Sequence, residues 1–137
     1  MTYSTRLGRM YYIIGIGSNS QKDLNLALAQ KLLESSFPGI RFSRTMETKP
    51  ILTPCSDDFV NRVAVCYTEM TFEKVNMLLK SIEKTIGRTP EDKKNGVIKI
   101  DLDILVCDGK VIRAEDWNRE FRKELVEINE DGTIILK

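Results

Sequence analysis

The chain contains no histidine. That absence removes Ser-His and Cys-His catalytic pairs, HExxH zinc sites and any imidazole general base. Cysteine is scarce: Cys55, Cys66 and Cys107 are odd in number and form no CxxC. They point to a reduced, cytoplasmic chain in which the last two fill core positions. Neither sign of charge is in excess, since 21 Lys+Arg against 20 Asp+Glu leave a net charge of +1. Such a balance does not ask for nucleic acid or an anionic membrane as partner. No apolar run approaches the roughly 20 residues of a membrane-spanning helix. Arg6 and Arg9 before "MYYIIGIG" imitate the start of a signal peptide. The apolar stretch is short, broken by glycine and without a small-residue cleavage site, so it reads as a first strand. A Walker A sequence is also missing, which excludes a P-loop kinase. Internal repeats, linkers and low-complexity tracts are absent as well.

What is present fits one α+β domain over residues 1–137. Tyr11–Ile16 reads as a buried strand ended by "GSNS", where Asn19 or Ser20 offers a helix N-cap and Asp23 complements the dipole. Leu24, Leu28 and Leu32, with Ala27 beside them, predict an amphipathic helix over residues 22–35. "SFPG" stops it, and a strand of mixed polarity follows over residues 40–47. "TKPILTPCSDD" reads as a loop and Phe59–Thr68 as a strand. Thr71 then caps a second helix with the stripe Phe72, Val75, Leu79, Ile82 and Ile86, closed by Gly87. "RTPEDKKNG" reads as a polar loop before a last core strand, which ends at the Asp108-Gly109 turn. A helix over 115–127 and a short strand in "DGTIILK" complete the chain. The order β-α-β-β-α-β is that of ferredoxin-like folds, here with a C-terminal helical extension.

The chemistry centres on "GVIKIDLDIL". At strand period, Ile98, Ile100, Leu102 and Ile104 share one face, and Lys99, Asp101 and Asp103 share the other. Two like charges about 6–7 Å apart on an apolar strand need water, a counter-charge or a metal. Carboxylate oxygens suit Mg²⁺, whose remaining ligands are waters and substrate phosphates. The alternative is a solvent-facing strand whose aspartates pair with Lys99 and other cations. Phe59 and Asn61, two apart in "DFVNRVAV", share a strand face. An aromatic plate beside an amide suits a flat heteroaromatic ring, although the spacing alone favours an ordinary core phenylalanine with a turn-facing asparagine. Gly15 and Gly17 in "GIGSN" lack the third glycine of a dinucleotide fingerprint and fit close packing at a strand end.

Together, "YYIIGIGSN", "ETKPI", "DFVNRVAV", "LKSIEKTIGR" and "IDLDIL" resemble the 6-hydroxymethyl-7,8-dihydropterin pyrophosphokinase family over residues 11–112. The most specific part is "IE…GR" followed, thirteen residues after the arginine, by "DLD". The resemblance implies Mg²⁺-dependent transfer of pyrophosphate from ATP to the pterin alcohol in folate biosynthesis, with AMP released. It implies two Mg²⁺ ions on Asp101 and Asp103, with Arg88 beside them. Phe59, Asn61, Thr48, Pro50, Ile51, Leu52 and Phe121 would bind the pterin. Glu83, Arg88, Lys94, Lys99 and Arg119 would lie on the nucleotide side.

Departures from the family pattern are specific. Pro90 stands where a second arginine is usual, and Val97 and Ile98 follow Gly96 where a proline and an arginine are usual. The usual histidine-proline pair is absent. Lys93, Lys94 and Lys99 are the candidate replacements, although a lysine is a point charge without the bidentate fork of arginine. A pterin- or nucleotide-binding module with little or no transfer activity is therefore the second expectation. An RNA-binding ferredoxin-like domain is the third, disfavoured by the missing sheet aromatics and basic surface.

Overall fold

A computed structural model describes residues 9–49, 58–118 and 120–137. The central strand β1 (Met10–Ser18) is buried from Tyr12 onward, as its nearly uninterrupted apolar run requires. It pairs antiparallel with β4 (Phe59–Thr68) on one side and β5 (Asp101–Cys107) on the other. β2 (Arg41–Phe42) and β3 (Met46–Thr48) both pair with β4, and β6 (Lys110–Val111) extends β5. The path across the sheet is β2-β4-β1-β5-β6, antiparallel throughout. Helix and strand content of this kind is α+β, as the pattern predicts.

One face of the sheet carries the main core. Tyr12, Ile14 and Ile16 of β1, Ala64 and Cys66 of β4, and Leu102 and Ile104 of β5 pack there against two helices. Helix α1 (Lys22–Ser36) contributes Leu26, Ala29 and Leu33, and α2 (Phe72–Ile86) contributes Val75, Leu79 and Ile82. The α2 stripe is the predicted one, with Thr71 as N-cap and Gly87 in the left-handed region at φ 110°. The α1 stripe is not. Leu24 and Leu28 are exposed, and Ala27 with them. Leucine occurs on both sides of this helix, so the i, i+4 spacing alone cannot choose the buried one.

Residues 40–47 do not form one strand. Ser43 interrupts it: its N–H donates to Val63 O, and its hydroxyl accepts from Val63 N. The side chain takes the place of a backbone acceptor, and the edge restarts at Met46. Nor does Asn19 cap α1. It is buried, and its amide donates to Gly96 O at 2.7 Å while its side-chain oxygen accepts from Ile98 N at 2.7 Å. Gln21 at φ 43° begins the helix without a side-chain cap. "RTPEDKKNG" contains a short helix, α3 (Pro90–Lys94), capped by Thr89.

Among the described residues, the other face of the sheet is only partly covered. The predicted C-terminal helix is two short pieces, α4 (Ala114–Trp117) and α5 (Glu120–Leu125). β7 (Val126–Ile128) then pairs with β8 (Ile134–Leu136) as a separate two-stranded sheet. Leu125, Val126 and Ile134 pack on Ile13, Val63, Val65, Leu105 and Val106. The terminal segment is therefore a mixed cover.

The choice between the two α1 faces is measurable. Leu33→Ala removes a fully buried side chain and should cost about 2–5 kcal/mol in denaturant unfolding. Leu24→Ala, at a side chain 54% exposed, should change stability by about 0.5 kcal/mol or less. Equal losses would contradict this packing.

Candidate active site

Beyond the region contacted by the C-terminal cover, the second sheet face carries a lateral row of polar and small residues. Gly17 on β1 is opposite Asn61 on β4 and opposite Asp101 on β5. One step along the same face, Gly15 is opposite Val63 and Asp103. The glycines therefore separate the amide side of the site from the carboxylate side. A Cβ at Gly17 would lie 3.1 Å from Asn61 Oδ1 and 3.7 Å from Phe59 Cδ2. Its absence leaves a slot bordered by an aromatic ring and an amide. Asn61 Nδ2 donates to Thr48 Oγ1 at 2.6 Å, which fixes the amide's orientation. Thr48 thus meets the site through its side chain.

The aspartates project from the start of β5, where the strand has an open edge. β6 pairs only with Val106 and Cys107, so among the described residues the backbone near Leu102 has no strand neighbour on that side. Helix α2 supplies side chains instead. Glu83, 7% exposed, accepts from Leu102 N at 2.7 Å, and Lys80 Nζ donates to Leu102 O at 2.8 Å. Arg88, placed by the Gly87 turn, donates to Ile100 O at 3.2 Å.

The same three side chains reach the acids. Arg88 donates to Asp101 at 2.7 Å and to Glu83 at 3.3 Å. Lys80 lies 3.1 Å from Glu83 and 3.2 Å from Asp103. Arg113, from the turn after β6, lies 3.6 Å from Asp103. Three carboxylates and three cations form one network. Burial pushes the Asp103 carboxyl above its ordinary value of 3.8, and the neighbouring Asp101 adds to the push. Lys80 and Arg113 pull it down without cancelling that effect. For Arg88, burial pulls the guanidinium down, but its hydrogen bond to Asp101 and the nearby carboxylates outweigh burial and leave it raised.

The donor set fits a hard cation that shares its shell with a substrate. Asp101 and Asp103 occupy adjacent positions of one face, and Asp101 is 42% exposed against 14% for Asp103. Among the described residues, no group of three or more His, Cys, Asp or Glu side chains converges on a metal position. Glu83 is committed to Leu102 N and two cations. Two carboxylates without a complete protein cage are what Mg²⁺ takes when phosphates supply the remainder.

Several predicted residues fall elsewhere. Lys99 does not pair with the aspartates; it donates to Gly87 O at 3.2 Å and lies 3.4 Å from Asp92, tying α3 to the end of α2. Lys94 is exposed and lines a shallow depression with Thr89, Pro90, Glu91 and Asn95. Lys93 lines a larger groove of about 710 Å³ with Lys80, Glu83 and Arg88. Pro50, Ile51, Leu52 and Arg119 lie outside the described residues, as does the side chain of Phe121. Sequence reasoning missed Lys80 and Arg113. For Lys80 a signal existed: it stands three residues before Glu83 on a helix, the spacing of a side-chain pair.

An antiparallel α+β sheet that gathers carboxylates and cations beside a slot without side chains fits the class of phosphoryl-handling transferases. The model of the 7,8-dihydro-6-hydroxymethylpterin-pyrophosphokinase (HPPK) family matches residues 13–130, and the chain belongs to this family. The match runs past residue 112 through α4, α5 and β7 and stops before β8. None of the curated proteins compared with the chain matches it. Membership implies pyrophosphate transfer from ATP to the hydroxymethyl pterin in folate synthesis. No helix among the described residues is long and apolar enough to cross a membrane.

The direction of the Asp103 shift makes a prediction about stability. A raised folded value means the native state holds a proton that the unfolded chain has released. The resulting penalty is absent below the ordinary value of 3.8 and complete above the folded value. In metal-free protein, Asp103→Asn should therefore melt at or above the wild type near pH 7. Its advantage should shrink as the pH falls toward 4. A variant that melts lower at every pH would show that the pairing with Lys80 and Arg113 outweighs burial.

Proposed function

We propose that this chain is an active member of its family, a ferredoxin-like pyrophosphokinase that uses Mg²⁺, ATP and 6-hydroxymethyl-7,8-dihydropterin. The observation that carries the reading is the row Asn61–Gly17–Asp101 across three adjacent strands. It sets a slot for a flat polar ring one strand away from a pair of carboxylates. In this reading the ring of Phe59 stacks on the pterin and the amide of Asn61 bonds its edge, with Thr48 holding that amide. Asp101 and Asp103 would hold Mg²⁺, whose chemistry would be neutralisation of the charge on the ATP phosphates. The pterin hydroxyl oxygen bonds to the β-phosphorus and gives up its proton to water, the bond from that phosphorus to the oxygen bridging the α-phosphate breaks, and AMP leaves with that oxygen.

Positioning and charge neutralisation do most of the work in such a transfer, so a chain without histidine can perform it. Arg88 keeps Asp101 oriented and ties it to Glu83. Lys80 and Arg113 bring positive charge to the Asp103 side of the site. That charge favours the enzyme over the binding module, whose motive is the missing arginines. Asp101, Asp103, Glu83 and Arg88 thus form one connected group. Lys94 and Arg119 remain candidates for nucleotide contact, and Pro50, Ile51, Leu52 and Phe121 for pterin contact.

The test is AMP formation from ATP and Mg²⁺ with and without the pterin. Pterin-dependent AMP is expected, and Asp103→Ala should reduce it by at least about 10²-fold. Folded protein that binds the pterin and releases no AMP would establish the binding module instead. Gly17→Ala should weaken pterin binding far more than ATP binding, measured by calorimetry, because the new methyl enters the slot beside Asn61. Unchanged pterin affinity would move the ring elsewhere.

A further inference from the structure

We infer that Lys80 is a built-in occupant of the cation site: in the metal-free protein its ammonium holds the Asp103 carboxylate, and an arriving divalent cation displaces it. This inference rests on the reading of Asp101 and Asp103 as metal ligands. The geometry behind it is specific. The Lys80 ammonium lies between two carboxylates, 3.1 Å from Glu83 and 3.2 Å from Asp103, and also donates to Leu102 O at 2.8 Å. Asp103 is the less exposed aspartate, so without a metal it has the greater need of a counter-charge. Lys80 can also release Asp103 and keep its hold on the β5 edge. Its side chain is 44% exposed at the end of a flexible stem, and two of its three contacts do not involve Asp103. Arg88, by contrast, is 20% exposed and bound to Glu83, Ile100 O and Asp101 together.

A lysine in this position gives the less exposed Asp103 a counter-charge before substrate arrives. It also competes with the metal, because two cations close to one carboxylate repel. Mg²⁺ alone then binds weakly, whereas Mg²⁺ carried on ATP brings phosphate charge that offsets the repulsion and offers the released ammonium a new partner.

The test measures Mn²⁺ binding to the full chain without nucleotide, by the loss of the free-ion paramagnetic resonance signal. Lys80→Gln keeps a donor for Leu102 O and removes the charge; Lys80→Met serves as the second variant should the first fold poorly. Either variant should bind Mn²⁺ roughly tenfold more tightly than the wild type or better. Lys84→Gln, one turn further along α2 without a contact to Asp103 among its neighbours here, should stay within about twofold of the wild type. In melting experiments, Mg²⁺ should raise the Tm of Lys80→Gln by more than that of the wild type. Wild-type or weaker Mn²⁺ affinity in both Lys80 variants, with binding abolished by Asp103→Asn, would overturn the role of Lys80 and leave the metal reading standing. An equal gain in Lys84→Gln would also overturn it, by showing a general charge effect. Failure of the wild type and both Lys80 variants to bind Mn²⁺ would overturn the metal reading, and this inference with it.

Discussion

The site depends on how the open edge of β5 is closed. Leu102 presents a backbone N–H and a carbonyl where no strand among the described residues lies alongside, and α2 answers with Glu83 and Lys80. An unpaired buried N–H or C=O is costly, so these two side chains are held by a structural demand before any substrate is considered. The same atoms that satisfy the edge also touch the acids. Glu83 binds Lys80 and Arg88, and these in turn hold Asp103 and Asp101. The orientation of the aspartates is thereby tied to the packing of a helix that the main core already fixes.

Arg88 reaches the network because of the turn that precedes it. Gly87 ends α2 in the left-handed region, which a Cβ would make unfavourable, and its N–H bonds back to Glu83 O and Lys84 O. The chain then doubles back so that the next side chain lies along the helix end and over β5. Lys99 secures the far side of the same turn through Gly87 O and Asp92. A lysine predicted to contact nucleotide thus braces the loop that carries α3.

On the other side, the site is shaped by what is missing. Gly15 and Gly17 leave the sheet face open between Asn61 and the aspartates, while the alternating Ile14 and Ile16 fill the core on the opposite face. One strand serves both purposes by alternating. Asn19, at its end, acts as a short surrogate strand: its backbone N–H and side-chain amide bind the segment from Gly96 to Ile98 just before the aspartates emerge. The burial that results leaves Asp103 less favourable as an anion in the folded chain than in the unfolded one. Such a cost is common where a site is organised for a ligand that will supply the missing charge.

The sequence by itself determined the α+β class, the α2 stripe with its Thr71 and Gly87 ends, and the placement of Asp101 and Asp103 on one face. Each follows from periodicity or from a local backbone preference, and local rules are written in neighbouring residues. Tertiary structure decided which leucines of α1 face inward, because that helix is apolar on more than one side and only packing selects. It also turned Asn19 from a helix cap into a clamp and broke the 40–47 strand at Ser43. Partners distant in sequence offered those polar groups better hydrogen bonds than their neighbours did. The cations of the site were the least legible part. Their spacing to the acids is set by a helix packed against an open strand edge, and that distance exists only once the chain has folded.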